Sequence, residues 1–284
     1  MTRRRFLVGG SLVAGGLALY GGEIERHWIE ITHRDVFIPG LPQAFDGFRI
    51  AQLSDIHLDE YTEPFFLSDA VRDVNRLNPD VVFLTGDFVT HGILPRRLAV
   101  GAAWQCANVL NQIQCPRRYA VLGNHDVLIG PQDIIAALTA NGITVLINDH
   151  LPIERAGARF WLAGLDDPFV GTPDPELAVP ASIRSLPHEP IVLLCHAPDY
   201  VDDLLTSPAG HAVSLVLAGH THGGQIRAPL IGPLILPPLG RKYVKGWFRF
   251  GSLQLYVNRG LGTVGVPVRF NCPPEIALLT LRSA

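Results

Sequence analysis

The chain has 284 residues, 48% hydrophobic and only 17% charged, with a net charge of −3. It is long enough to bury a full core, and this balance excludes a disordered chain or one that grips nucleic acid through a basic footprint. The four cysteines, Cys106, Cys115, Cys195 and Cys272, form no Cys-x-x-Cys pair. That excludes a zinc knuckle or a thioredoxin-type centre and leaves buried free thiols as the plainer reading.

The chain opens Thr2-Arg3-Arg4-Arg5-Phe6-Leu7, and no further charge appears until Glu23. The uncharged span 6–22 holds six glycines and is short for a membrane-spanning helix. A twin arginine followed by one residue, Phe and Leu resembles the bacterial twin-arginine export signal. Residues 1–22 therefore read as a signal or an anchor, with both open because no good Ala-x-Ala site follows. The resemblance implies the twin-arginine export machinery as a partner. It also implies an exported bacterial protein, periplasmic or membrane-associated on the extracytoplasmic side.

Residues 23–284 show no internal repeat, low-complexity tract or linker after residue 45, and read as a single domain. Trp28 to Thr32 alternates like a strand, and Phe48 to Leu53 is a second strand running into Ser54-Asp55-Ile56-His57. Pro64 to Leu77 has apolar residues at helical spacing. Val81 to Leu84 is a buried strand ending in Thr85-Gly86-Asp87. A helix over Arg97 to Ile113 leads to the strand Tyr119 to Leu122 and then Gly123-Asn124-His125-Asp126. Gln132 to Ala140 is helical, and Thr144–Ile147 and Phe160–Gly164 are strands. Residues 166–190 are Pro-rich, with a short helix near Ala181–Leu186. Ile191 to Leu194 runs into Cys195-His196, and a short helix follows over Asp199–Leu205. Ser214 to Ala218 then delivers Gly219-His220-Thr221-His222-Gly223-Gly224. Leu253–Val257 and Ile276–Leu281 complete the strands.

Position carries the functional signal. Five strand-like runs each end in a polar cluster: Asp55 and His57; Asp87; Asn124, His125 and Asp126; His196; His220 and His222. Ligands gather outside the carboxyl ends of strands in α/β sheets, and intervening helices imply parallel strands that bring these clusters to one edge. Imidazole and carboxylate together, without thiolate, are a donor set for Mn, Fe or Zn.

Asp-x-His, Gly-Asp, Gly-Asn-His-Asp, a lone His and Gly-His-x-His, in that order over Arg49 to His222, resemble the calcineurin-like metallophosphoesterases. The resemblance implies an α/β fold of two mixed β-sheets packed as a sandwich with helices on the outer faces. It also implies two divalent metal ions. Asp55, His57, Asp87 and His222 would hold the first; Asp87, as a bridge, with Asn124, His196 and His220 would hold the second. The implied reaction is in-line attack on phosphorus by hydroxide generated at the metals, with His125 protonating the leaving oxygen or stabilising its charge. Asp126 is expected to orient His125 and raise its pKa, or else to be a surface carboxylate. Thr221 is expected to point away from the metals, and Gly223-Gly224 to leave room for a phosphate.

Departures narrow the substrate. Gly86-Asp87-Phe88-Val89-Thr90-His91-Gly92 lacks the Asp-Arg pair of the protein Ser/Thr phosphatases, and Thr90 stands where purple acid phosphatases place a metal-binding Tyr. Gly223-Gly224-Gln225-Ile226-Arg227, Asn258 to Gly262 and Pro267 to Phe270 resemble the exported bacterial phosphodiesterases. Near these stand enzymes that cleave the pyrophosphate of a UDP-linked acylated sugar. Asn258 to Gly262 reads as either a turn or a wall of the cleft. Pro229 to Leu239 is uncharged, apolar and broken by prolines. Its plainer reading is a core-covering loop; its sharper one is contact with a membrane surface or the acyl chain of a lipid-linked phosphate, with Arg241, Lys242 and Lys245 meeting lipid phosphates. A phosphodiesterase is the leading expectation, a pyrophosphatase the alternative and a non-catalytic metal-binding scaffold the remote one. No specific nucleic-acid binding is expected.

Overall fold

A computed structural model describes residues 15–59, 62–92 and 95–283. The Arg3-Arg4-Arg5 motif and the first part of the 6–22 segment lie outside the described residues. Among the described residues no helix is long and apolar enough to cross a membrane.

Two six-stranded sheets form the body. The strands of the first are β1 (Glu30–Ile38), β2 (Arg49–Leu53), β3 (Val81–Leu84), β4 (Arg118–Ala120) and β5 (Thr144–Val145), joined by the last strand, β14 (Glu275–Ser283). Their spatial order is β1-β14-β2-β3-β4-β5. The second sheet contains β6 (Asp149–Arg155), β7 (Ala158–Gly164), β8 (Ile191–Leu194), β9 (Val213–Ala218), β12 (Gly246–Phe250) and β13 (Leu253–Val257), in the order β12-β13-β9-β8-β7-β6. A small ribbon, β10 (Arg227–Ala228) with β11 (Gly232–Pro233), stands apart. Both large sheets are mixed. β2, β3 and β4 run parallel, as do β7, β8, β9 and β13, while β14 pairs antiparallel with β2.

Strand composition explains the layering. In Ile191-Val192-Leu193-Leu194, Val192 and Leu194 enter the cluster between the sheets, while Ile191 and Leu193 pack in the cluster on the outer face. A strand covered on both faces must be apolar at every position, which is why these runs do not alternate. Between the sheets Phe45, Phe48 and Phe160 meet edge to face with centroids 5.0–5.8 Å apart. Outside the first sheet, the helices Pro64–Leu77, Arg96–Leu110 and Pro131–Ala140 contribute Val71, Ala103 and Ile134 to a third cluster. The result is the expected sandwich with outer helices. Cys106, Cys115, Cys195 and Cys272 are all buried free thiols.

Candidate metal centre

The parallel strands of both sheets deliver their following loops to one edge. The loops after β2 and β3 stay paired beyond the sheet: Asp55 N–H donates to Gly86 O (2.9 Å) and His57 N–H to Asp87 O (3.0 Å). Asp55, His57, Asp87, His220 and His222 all hold left-handed backbone, with φ between 48° and 70°. For residues with a Cβ this conformation is strained, and it persists where surrounding structure enforces it.

The turns aim the side chains inward. Asp55, His57 and His222 place one ligand atom each within 4.8 Å of one another, and so do Asp87, His196 and His220. Asp87 joins the groups: its Oδ2 lies 3.4 Å from His57 Nε2 and 3.2 Å from His196 Nε2. His222 Nε2 is 3.1 Å from His57 Nε2 and 3.6 Å from Asp55 Oδ1. The first sheet supplies Asp55, His57, Asp87 and Asn124; the second supplies His196, His220 and His222. Asn124 Oδ1 and His196 Nε2 are buried with no hydrogen-bond partner. Orphaned donor atoms of this kind, crowded beside a carboxylate, fit a divalent cation.

Outer contacts fix the imidazoles. His57 Nδ1 donates to Thr90 Oγ1 (3.0 Å), whose hydroxyl donates in turn to Asp59. His196 Nδ1 donates to Thr85 O and His220 Nε2 to Pro238 O, each at 2.7 Å. His57 Nε2, His196 Nε2 and His220 Nδ1 are thereby left as the acceptor nitrogens.

The charges diverge sharply. Burial alone would raise the Asp87 pKa, yet the charges of His196 and His125, with the His196 and His57 rings close against the carboxylate, hold it well below the usual range. Burial works against charge on His57 and His196, but Asp87 and then Asp55 outweigh it and raise both pKa values. Burial and the charge of His196 push His220 down to about 4. Burial, then His57 and Arg269, hold His222 well below the ordinary imidazole range. Burial, helped by the charge of Asp87, raises Asp55.

Residues 48–224 match the calcineurin-like phosphoesterase family. The chain belongs to that family. It is 36% identical to YkuE, an uncharacterized metallophosphoesterase of Bacillus subtilis (strain 168), over 100% of this chain and 98% of that one. It is 32% identical to phosphodiesterase YaeI of Escherichia coli (strain K12), over 99% of each. At 27% identity and 92% of both chains it is similar to LpxG, a UDP-2,3-diacylglucosamine pyrophosphatase of Chlamydia trachomatis. Among solved structures, the NAD nucleotidase NadN of Haemophilus influenzae shares the fold, with a TM-score of 0.52 and 15% identity over 75% of this chain and 45% of that one. The protein is thus a metal-dependent phosphoesterase, with divalent metal as its cofactor.

Several sequence expectations need correction within this family frame. Asp126 makes no hydrogen bond to His125 and is not on the surface. Its carboxylate is fully buried and accepts the N–H groups of Asp87 (2.8 Å), Phe88 (3.0 Å) and Gly123 (2.9 Å), pinning the loops that carry Asp87 and Asn124. Burial and the neighbouring charge of Asp87 raise its pKa to about 7. His125 instead accepts His91 N–H at Nδ1 (2.8 Å), and burial lowers its pKa to about 4. Asn124, His125 and Asp126 open a helix, Asn124–Ile129.

The glycines around the His-x-His turn serve packing. A Cβ on Gly219 would run into Ser54 Oγ and Asp55 Oδ2. One on Gly223 would come within 2.7 Å of Cys272 Sγ, and one on Gly224 would strike Pro233 Cβ, so the pair is not there simply to admit a phosphate. Thr221 does turn its hydroxyl aside, to Val244 O (2.6 Å). Asn258 to Gly262 backs the site instead of walling the cleft: Leu261 N–H and Gly262 N–H donate to Ser54 O (3.0 Å) and Asp55 O (2.7 Å). Arg269, fully buried, holds this turn through the carbonyls of Arg259, Gly260 and Gly262.

Sequence reasoning missed the roles of Thr90, Phe169 and Val264–Val266. A cleft of about 490 Å³ opens over Asp87, Asn124, His125, His220 and His222, and its far wall includes Phe169, Leu234, Ile235 and Val266. The Pro229–Leu239 segment is no core cover, because Leu230, Ile231, Leu234 and Ile235 are all exposed.

Proposed function

We propose that this protein is a phosphodiesterase working with two divalent metal ions that share Asp87. The carrying observation is the position of Asp87 Oδ2 between His57 Nε2 and His196 Nε2, each imidazole belonging to a separate ligand group. Asp55, His57 and His222 would complete one set, and Asn124, His196 and His220 the other. Bound ions of this kind supply Lewis-acid polarisation of phosphate oxygens and a nucleophile at neutral pH.

The chain's own residues account for the rest. His125 lines the cleft, with a ring nitrogen within 4.8 Å of ligand atoms of His57 and Asp87. With His91 N–H held at Nδ1, its neutral ring carries the proton on Nε2, where it can be donated to an oxygen leaving phosphorus. Its lowered pKa favours a hydrogen-bond donor to developing charge over a standing imidazolium. Asp126 acts at one remove, by keeping the backbone of Asp87 in place.

A leaving-group series tests this reading. His125→Ala should slow hydrolysis of a diester with a poor alkoxide leaving group by about 10²–10⁴-fold, and one with nitrophenolate far less. Full activity of the variant on both, or of the wild type after chelation, would overturn the proposal. A second reading, cleavage of a pyrophosphate carrying an acylated sugar, is supported by the apolar far wall and by the similarity to LpxG. A higher kcat/KM on such a pyrophosphate than on a simple diester would favour it.

A further inference from the structure

The far wall of the cleft continues outward into a surface that the protein does not cover. β10 and β11 form a hairpin whose tip is Pro229-Leu230-Ile231, with Leu230 wholly exposed and Ile231 at 78%. Immediately after it, Leu234 (57%) and Ile235 (84%) are exposed while also lining the cleft. From Ala228 to Gly240 there is no polar side chain at all. Leu230 has φ +67°, a conformation that favours Gly, Asn or Asp at a turn, yet the strained tip carries a leucine in open solvent.

A second apolar segment is tied to the same place. Phe270 accepts Arg227 N–H (2.9 Å) and donates to Gln225 O (2.9 Å), so it forms part of the hairpin's base. Its ring also meets Tyr20 edge-on at 6.3 Å, and its neighbour Arg269 donates its N–H to Gly21 O (3.0 Å). The stretch held there ends the uncharged sequence 6–22 and exposes Leu17 and Leu19, with Ile24 exposed just past the exposed Glu23. Gln225 clamps the other lip, donating through Nε2 to Val264 O (3.2 Å) and Val266 O (2.9 Å), and Val266 is itself half-exposed.

We propose that the 228–236 hairpin and the 17–24 segment form one bilayer-docking face that sets the mouth of the catalytic cleft against the lipid surface. Large contiguous apolar patches on a folded surface mark a partner or a membrane. A protein partner would be met with side-chain hydrogen bonds, and this hairpin offers none. Hydrocarbon asks only for apolar side chains and few free N–H groups. Pro229, Pro233, Pro237 and Pro238 have no N–H to leave unpaired, and the ribbon pairs its own backbone. Arg227, Arg241 and Lys245 flank the apolar run in sequence and are of the charge that anionic headgroups attract. Since Leu234 and Ile235 belong to both the surface and the cleft, a phosphoester with an acyl chain reaches the metals without leaving an apolar path. This last step rests on the phosphodiesterase reading.

Flotation of the full, metal-loaded chain with vesicles of equal phosphatidylcholine and phosphatidylglycerol tests the docking face. Hydrolysis of a soluble diester is measured on the same preparations. The wild type should float. Leu230→Asp with Ile231→Asp, neither of which lines the cleft, should weaken vesicle binding by at least about tenfold, as should Leu17→Asp with Leu19→Asp. Soluble-diester activity should stay unchanged in both. A wild type that does not float overturns the proposal. So do hairpin variants that float as the wild type does, or a wild-type dimer that the hairpin variants dissociate. Loss of soluble-diester activity in the wild type would count against the phosphodiesterase reading alone.

Discussion

At and beneath the polar wall of the cleft Asp55, His57, Asp87, His220 and His222 hold left-handed backbone and are buried. Outside the cleft, beside its apolar wall, Leu230 and Leu239 hold the same conformation, and Leu230 is fully exposed. In the polar wall the strain is offset locally: Asp55 accepts His220 N–H at 2.9 and 3.0 Å, and Asp126 pins Asp87. In the apolar wall, packing does not offset the strain at the tip. Strain that is compensated inside the fold belongs to the candidate metal centre, and the strain at Leu230 is met by no packing of the fold's own.

The contrast can be broken most strongly at Asp87. Asp87→Asn keeps the shape but removes the shared charge, and kcat/KM should fall by at least about 10³-fold, several kcal/mol of charge stabilisation. Metal content by elemental analysis should fall with it. A variant that keeps its metal and its rate would remove Asp87 from the centre of the site.

Thr90→Val preserves volume but deletes the hydroxyl between His57 and Asp59. Metal affinity should drop by about 10–100-fold in competition with a chelator, the usual effect of removing an outer partner of a ligand. An unchanged affinity would mean that the imidazole is oriented by packing alone.

A smaller effect should appear as proton release. In the metal-free fold His57 and His196 have raised pKa values, so each favours the folded state fully below its unfolded value near 6.5. That contribution is lost as pH rises through the raised pKa. Metal needs neutral rings, so uptake should expel protons from these two rings where they are charged and strengthen as pH rises. His220, lowered to about 4, and His222, held well below the ordinary imidazole range, contribute none. Titration calorimetry in buffers of different ionisation enthalpy reads the number directly, and no buffer dependence would contradict it.

The smallest change is expected on the apolar wall. Leu234→Ala with Ile235→Ala should leave soluble-diester hydrolysis within about twofold, since neither side chain meets the metal ligands. A large loss there would mean that the two walls are not functionally separate.

The polar wall was largely legible in the sequence because each candidate ligand ends an apolar strand, and strand ends converge in a parallel sheet. Asp126 was not. Its partners are N–H groups of Asp87, Phe88 and Gly123, and no side-chain pattern announces a bond to backbone. Thr90 likewise looked like the absence of a tyrosine, when its hydroxyl lies against His57. The order of strands was hidden as well, since pairing between β1 and β14 spans nearly the whole chain and no local period encodes it. The hairpin's apolar composition was plain, but burial and exposure read the same in a proline-broken run.

The position of β14 has a consequence for the order in which the molecule can assemble. β1 bonds only to β14 within its sheet, and β2 keeps an open edge until β14 arrives. Glu275, the first residue of that strand, accepts Tyr256 Oη–H (2.6 Å) and Arg259 N–H (2.9 Å), and donates its own N–H to Gly260 O (3.0 Å). The turn behind Asp55 is therefore fastened by a strand that follows every candidate metal ligand in the sequence. A nascent chain holds every metal-ligand residue long before it holds the means to align them, and long-range closure of this kind is slow. The centre is completed from the C-terminus.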